Sequence, residues 1–317
     1  MINKFLSVIV LILFPIVVIS FNHDDKTNFI LENSDDVEVL EDTSKKVSNE
    51  ILVKILTNNK IETLNLEDYI VGVVAAEMPA SFSKEALKAQ AVASRSYALY
   101  RKTHSNLEYD LTDNTSTQSY ITVEQMHQKW GDTFDKYYNR IKTAVLETQG
   151  EIATYNNEII EALYFSMSAG QTQDVQAVFQ TKLDYLKSTE SIYDNDNIKN
   201  FKAIKTISID DFKKSLSVSC NPINYEILSY ENSGYVSKIK VCDKVFNGNA
   251  FRKLLGLRSA NFQIDIGEEV IITTFGYGHG VGMSQYGANG YAENGYDYKD
   301  ILNHYYSNIE ITNINNV

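Results

Sequence analysis

Pro79 is one of only three prolines in the 317-residue chain, and it dictates how the segment around it folds. Before it, Leu66, Tyr69, Ile70, Val73 and Val74 recur at helical spacing over Leu66 to Ala76. A proline ring bars the preceding residue from the helical region, so this helix must stop just short of Pro79. After it, Ser83 is a suitable N-cap, with Lys84 and Glu85 in the first turn of a second helix running to Tyr100. Ala86, Ala89, Ala93 and Tyr97 line one face of that helix, and side chains this small imply close packing against another helix. The chain is forced into two helices separated by a short break.

One ionisable residue stands in the break, within Val73-Val74-Ala75-Ala76-Glu77-Met78-Pro79. Apolar surroundings disfavour the charged form of a carboxyl group. A carboxylic acid that keeps its proton near neutral pH can protonate a leaving group. The same seven residues also fit a solvated glutamate near a helix end, as most glutamates face water.

Hydrophobic residues make up 44% of the chain and charged residues 22%, the balance of a protein that buries a core. A net charge of -12 excludes nucleic-acid or anionic-lipid binding by bulk charge. Phe5 to Phe21 is an almost unbroken apolar run, preceded by Lys4 and followed by Asp24-Asp25. Its length sits at the low end for a membrane-spanning helix, and the flanking charges place the N-terminus in the cytoplasm and the body outside. A cleaved signal peptide is the alternative, although Val18-Ile19-Ser20-Phe21-Asn22 fits a cleavage site poorly. Residues 1-21 are therefore expected to be an anchor, and the acidic residues 22-50 a tether. Cys220 and Cys242 either bridge two neighbouring strands or remain thiols. Two cysteines and five scattered histidines form no zinc pattern, and no cofactor is expected.

Strands are expected at Ile51 to Thr57, Ile152 to Thr154, Glu161 to Ser166, Tyr225-Tyr230, Tyr235-Val241, Val270 to Thr274 and Ile309-Ile311. Those at 152 and 161 would form a hairpin around Asn156-Asn157. Helices are expected at Val123 to Thr148, Met283 to Asn294 and Tyr298 to Tyr305. Without regular βαβ alternation the class is α+β: helices and short strands around one cleft in a body spanning 51-317. Residues from about 184 to 262 read as an inserted β-rich subdomain.

Gly276-Tyr277-Gly278-His279-Gly280-Val281-Gly282 matches neither the dinucleotide nor the P-loop spacing, and no lysine follows. Alternating glycines leave the backbone bare, either for close approach by a sugar chain or for a tight structural turn. His279 then reads as a base or a buried hydrogen-bonded residue, and Ser284 as a nucleophile or a helix-start residue, with no nucleophile elbow around it.

Ala75-Ala76-Glu77-Met78-Pro79 and Glu85-Ala86-Leu87-Lys88-Ala89-Gln90-Ala91-Val92-Ala93-Ser94-Arg95-Ser96-Tyr97-Ala98 together resemble the signature of the stage II sporulation protein D family. Phe251 to Ser259, Tyr277 to Ala288 and Ile301 to Tyr306 extend the resemblance in family order, from about residue 50 to the C-terminus. The resemblance implies a lytic transglycosylase of peptidoglycan acting during endospore engulfment, from the mother-cell membrane at the septum. Its substrate would be glycan stripped of stem peptides, and its partners the sporulation amidase, protein P, and membrane protein M. Glu77 would be the catalytic acid. Arg95 would bind an acetamido or lactyl group or support the loop. Gln118, Tyr120, Tyr164, Ser166, Ser168, Gly170, His279, Gly280, Ser284 and Gln285 would contact glycan.

Three departures stand out. Ala169 takes the place of a turn glycine, so that position tolerates a side chain or the turn is altered. Gln173 replaces a usual glutamate, which removes one possible second acid. Thr112, Ser116 and Thr117 stand where some clostridial members carry zinc-binding cysteines and histidine, so no metal is expected. The family also includes amidase enhancers, and a glycan-binding activator without chemistry is the competing expectation. A water-using inverting glycosidase is a second rival.

Overall fold

The computed structural model describes residues 51–317. The expected anchor and tether lie outside them. Among the described residues no helix is long and apolar enough to cross a membrane.

The body opens with the hairpin β1 (Leu52–Thr57) and β2 (Lys60–Asn65). Asn58 and Asn59 turn it with positive φ, which asparagine tolerates better than most residues. Asn65 then caps α1 (Leu66–Glu77), its side chain accepting from the Glu67 N–H, and Glu67 and Asp68 complement the positive helix end. Met78 is extended (φ -111°, ψ 145°), as Pro79 requires, so Glu77 is the last helical residue.

Helix α2 (Lys84–His104) is longer than expected, and it is buried on nearly every side rather than along one alanine face. Its neighbours include α1, α4 (Phe134–Glu147), α8 (Gln285–Glu293) and α9 (Tyr298–Tyr305). The helix therefore lies in the middle of the core, and Gln90, Ser94, Arg95 and Ser96 are buried along with its apolar residues.

Strand β3 (Leu111–Thr112) pairs parallel to β1 and leads into a polar loop. The single helix expected over 123–148 is two, α3 (Val123–Trp130) and α4, broken at Gly131 with φ 49°. Positive φ at that position ends the first helix and lets the chain restart in a new direction.

The hairpin of β4 (Glu151–Tyr155) and β5 (Glu158–Ile159) turns at Asn156-Asn157 as expected. The following strand does not pair back onto it. Only β6 (Tyr164–Phe165) forms, and it pairs parallel with β13 (Met283–Ser284). α5 (Val175–Phe179) follows. The terminal strand β14 (Glu310–Asn313) completes the sheet of β4 and β5.

A second hydrophobic cluster has its buried residues between Phe212 and Ile272. Two three-stranded sheets build it: β11 (Phe262–Ile266), β12 (Glu269–Phe275) and β7 (Lys202–Ser208), and β10 (Lys244–Asn247), β9 (Val236–Val241) and β8 (Tyr225–Tyr230). α6 (Ile209–Leu216) and α7 (Gly248–Leu254) pack against them, with Phe251 stacked on Phe262 at 5.0 Å. Three of these strands, β7, β10 and β11, were not expected; β7 and β10 lack clear alternation, whereas β11 alternates. Cys220 and Cys242 are disulfide-bonded with Cα atoms 5.7 Å apart. The bridge joins the loop before β8 to the turn after β9, rather than two strands. The mixture of helices and small, mostly antiparallel sheets is an α+β fold.

Candidate active site

Glu77 ends α1 with its carboxylate partly exposed and gripped on both oxygens. The backbone N–H of Ser119 donates to Oε1 at 2.7 Å, and the Gln285 side-chain amide donates to Oε2 at 3.3 Å. These donors come from the polar loop after β3 and from the first residue of α8. Three separated segments therefore meet at one carboxylate.

Behind Glu77 lies a buried hydrogen-bonded chain. Gln285 Nε2 also donates to Gln90 Oε1 (3.3 Å), and Gln90 Nε2 donates to Ser94 Oγ (2.9 Å). Gln118 Nε2 donates to the Tyr69 hydroxyl (3.0 Å) and lies 3.4 Å from the Ser94 carbonyl. Tyr164 donates its hydroxyl to Gln118 Oε1 at 2.8 Å. Burial pushes the Tyr69 and Tyr164 phenols well above their usual range, with the Glu77 charge adding to the effect, so both remain neutral, Tyr69 accepting from Gln118 and Tyr164 donating to it. Tyr120 stacks on Tyr69 with centroids 5.4 Å apart. Gly72 makes room for it, since a Cβ there would lie 2.2 Å from the Tyr120 ring. Lys129 reaches from α3 to the Ala75 carbonyl at 2.8 Å, on the negative end of α1. Partial burial lowers its ammonium pKa, opposed by the charge of Glu77.

Glu77, Gln118, Tyr120, Tyr164 and Gln285 are thus brought together. Ser166 and Ser284 act one step back. The Ser284 hydroxyl lies 3.4 Å from the Ser166 carbonyl and accepts from the Gly287 N–H, which fixes the start of α8 and hence Gln285. Ser168 is buried, and its hydroxyl accepts from the Gly170 N–H, closing the turn. Gly170 has φ 94°, whereas Ala169 has no positive φ, so the alanine is tolerated where it stands.

Arg95 corrects the expectation of a sugar-binding arginine. It is 0% exposed. Its Nε and Nη2 pair with both oxygens of Glu67 at 2.8 and 2.7 Å, and Nη1 donates to the Glu151 carbonyl at 2.9 Å. The guanidinium ties α1, α2 and β4 together and presents no donor to a ligand.

His279 and Gly280 correct a second expectation. Gly276, Gly278, Gly280 and Gly282 all have positive φ, but the space beside each is filled by the chain itself. A Cβ at Gly278 would lie 2.7 Å from Phe165 Cβ, and one at Gly282 would lie 1.9 Å from the Leu163 carbonyl oxygen. His279 Nδ1 accepts from the Val281 N–H at 3.1 Å, and its ring packs between Phe165 and Phe179. Burial, followed by the Arg252 charge, lowers its pKa to about 4, so the imidazole is neutral. Gln173 holds the loop from outside, with Nε2 donating to the His279 carbonyl at 2.8 Å. An amide suits that place, because a carboxylate would face a carbonyl oxygen.

Tyr69, Gln90, Ser94, Ser119 and Lys129 were not singled out from sequence. Gln90 and Ser94 left a signal: two polar residues four apart inside an alanine-rich helix share one buried face. Asp194 was also missed. It is buried and accepts from the Ser168 N–H and the Ser191 hydroxyl, and burial raises its carboxyl pKa. In the loop after β3, Thr112 and Thr117 bond hydroxyl to hydroxyl at 3.0 Å, and the Thr112 N–H donates to Thr117 Oγ1. Among the described residues no group of three or more His, Cys, Asp or Glu side chains is placed to hold a metal.

Residues 56–155, which include Glu77 and both central helices, match the family model described as stage II sporulation protein. A stage II sporulation protein D of Bacillus subtilis (strain 168) is 35% identical, over 97% of this chain and 93% of that protein. One from Bacillus amyloliquefaciens is 37% identical, over 86% and 81% respectively. A protein named amidase enhancer, also from Bacillus subtilis, is 27% identical over 76% of this chain and 40% of its own length. On identity sustained along nearly the whole length of both chains, this chain belongs to the stage II sporulation protein D family.

Proposed function

We propose that this protein is a lytic transglycosylase that cleaves stripped peptidoglycan strands between N-acetylmuramic acid and N-acetylglucosamine. The observation that carries the reading is the setting of Glu77: one partly exposed carboxylate whose two oxygens each take an N–H donor from the protein. An N–H cannot accept a proton. When Glu77 is protonated, its proton has no acceptor among these two partners and must point away from them, toward the open side. That is the geometry of a general acid.

Glu77 gives this proton to the glycosidic oxygen, and the bond from that oxygen to C1 of muramic acid breaks. An oxocarbenium-like centre forms at C1. The 6-hydroxyl oxygen of the same sugar bonds to C1, and its proton passes to the Glu77 carboxylate. A 1,6-anhydro ring results, no water is consumed, and the acid is restored. The nucleophile belongs to the substrate, so its effective concentration is high and a single carboxyl group suffices. The Ser119 N–H steadies the carboxylate while it is charged.

Family membership supports a role in sporulation, and the resemblance to the signature supports engulfment as the setting. We read residues 51–317 as the glycan-cleaving body, held outside the mother-cell membrane by residues 1–21. Protein P, as the amidase that strips the strands, and membrane protein M are the partners this reading names. The relative named amidase enhancer favours a second reading, in which the cleft binds glycan and stimulates an amidase without chemistry.

One digest separates the readings. The purified protein is incubated with strands already freed of stem peptides, and the new ends are weighed by mass spectrometry. Anhydro ends, lighter by one water than reducing ends, are expected from the parent, with at least a hundredfold less from Glu77→Gln. Reducing ends would mean hydrolysis. No product from the parent, with faster release of peptides by an added amidase, would mean an enhancer.

A further inference from the structure

We infer that Gln90 is a positioning residue for Glu77, acting through the side-chain amide of Gln285. The inference rests on the reading of Glu77 as the acid. It concerns a residue that does not touch substrate, since Gln90 is 0% exposed in the middle of α2.

A side-chain amide has two faces, a carbonyl oxygen that only accepts and an NH2 that only donates. Which one Gln285 turns to Glu77 decides where an acid proton can sit. With the NH2 toward Glu77, the proton is excluded from that side. With the carbonyl toward Glu77, the proton is captured inward and lost to the substrate. Gln285 alone does not choose, because a terminal amide torsion is soft. Gln90 chooses for it. Gln90 presents Oε1 to Gln285 Nε2 at 3.3 Å, the same nitrogen that lies 3.3 Å from Glu77 Oε2. The two N–H bonds of one nitrogen are thereby shared between Glu77 and Gln90. Turning Gln285 over would set its carbonyl against two acceptor oxygens.

Gln90 is itself tethered. Its Nε2 donates to Ser94 Oγ at 2.9 Å, one helical turn along α2. The Ser94 carbonyl in turn faces Gln118, whose neighbour Ser119 supplies the other N–H to Glu77. Gln90 and Ser94 therefore belong to a circuit that starts and ends at the carboxylate. Buried amides in such a circuit are costly unless every partner is present, so the arrangement favours one orientation.

Gln90→Met tests the inference, because it keeps the volume and removes both amide groups. In the full-length protein, kcat on stripped strands should fall on the order of tenfold with KM unchanged. The alkaline limb of the kcat–pH profile should move to higher pH, because a turned Gln285 carbonyl favours the protonated acid. In a Gln285→Met background the same change should alter kcat by less than about twofold, as expected of residues that act as a unit. Full multiplication of the two effects would overturn the inference, as would a loss of activity that only tracks the loss of folded protein.

A second measurement needs no turnover. The side-chain NH2 signals of Gln285, identified by their absence in Gln285→Met, are followed by NMR. They should shift and approach each other in Gln90→Met. Unmoved signals would sink the inference whether or not the parent cuts glycan. Absence of anhydro ends from the parent would instead sink the transglycosylase reading, leaving the hold of Gln90 on Gln285 decided by the spectra.

Discussion

The carboxylate at the end of α1 and the glycine loop at 276–282 make an instructive pair. Both are dense in unusual sequence, both join regular elements, and both suggest a place where a ligand meets the chain. In the structure their roles diverge. Around Glu77 the polar groups come from side chains on distant segments, and the carboxylate keeps a partly exposed face. In the loop the glycines open the backbone to the protein's own strand, with Leu163, Phe165 and Ser168 filling the space. Close approach is what alternating glycines guarantee; the identity of the approaching partner is set by tertiary packing.

The sharpest way to break this contrast is Glu77→Gln. The amide keeps the shape and one acceptor, but it has no acid proton. The expected outcome is a loss of about 10²- to 10⁴-fold in anhydro-end formation, with a thermal midpoint close to the parent's because the side chain is partly exposed. Collapse of the fold instead of the chemistry would move Glu77 to the structural side of the comparison. Arg95 sits firmly on that side. Arg95→Met leaves Glu67 facing a buried gap, and losing one partner of such a pair costs about 3–5 kcal/mol. Denaturant unfolding should show that loss, while the folded fraction keeps the parent's KM. A KM raised tenfold at unchanged stability would return Arg95 to substrate binding.

The same contrast explains what could be read from sequence. Pro79 and the apolar spacing of α1 act locally, so the end of that helix and the place of Glu77 were legible. The Asn156-Asn157 turn was legible for the same reason. Gln90 and Ser94 were hidden because the alanines around them read as a single packing face, whereas α2 is buried on almost every side. Ser119 contributes through its backbone N–H, which no side-chain pattern reports. For Arg95 the sequence leaves a sugar contact and support of the loop both open, because its partner Glu67, 28 residues away, makes no local mark. Strand β7 is hidden because its pairing with β12 is long-range and its alternation is weak, whereas β11 pairs with β12 across a short turn, and the alternation of Phe262-Gln263-Ile264-Asp265-Ile266 is a signal the sequence does carry.

Gly282→Ala probes the loop from the packing side. At φ 79° a Cβ is strained, and this one would overlap the Leu163 carbonyl oxygen at 1.9 Å. Strain and overlap together should cost about 2–4 kcal/mol, measured as a lower unfolding midpoint in urea. The β6–β13 pairing lies beside this contact, so activity should fall with stability rather than through KM. A stable variant with weakened glycan binding would mean that the loop faces ligand after all.

His279 gives the smallest effect and the most specific one, because its sign is fixed by protonation. The folded protein holds the imidazole neutral down to about pH 4, whereas the unfolded chain takes up a proton near the ordinary histidine value of 6.5. Between these values the unfolded state binds more protons, so acid favours unfolding. The stability that His279 contributes is intact above pH 6.5 and is lost progressively as pH falls toward 4. At pH 5 the loss is about 2 kcal/mol. His279→Asn keeps an acceptor for the Val281 N–H and cannot titrate. Near pH 7.5 it should be slightly less stable than the parent, since asparagine fills less of the space between Phe165 and Phe179. As pH is lowered to 5 the gap should close or reverse, because only the parent has a partly buried imidazole, held neutral by its surroundings, to protonate. If the two proteins lose stability in parallel across that range, His279 is open to solvent protons, and the loop is looser than its packing implies.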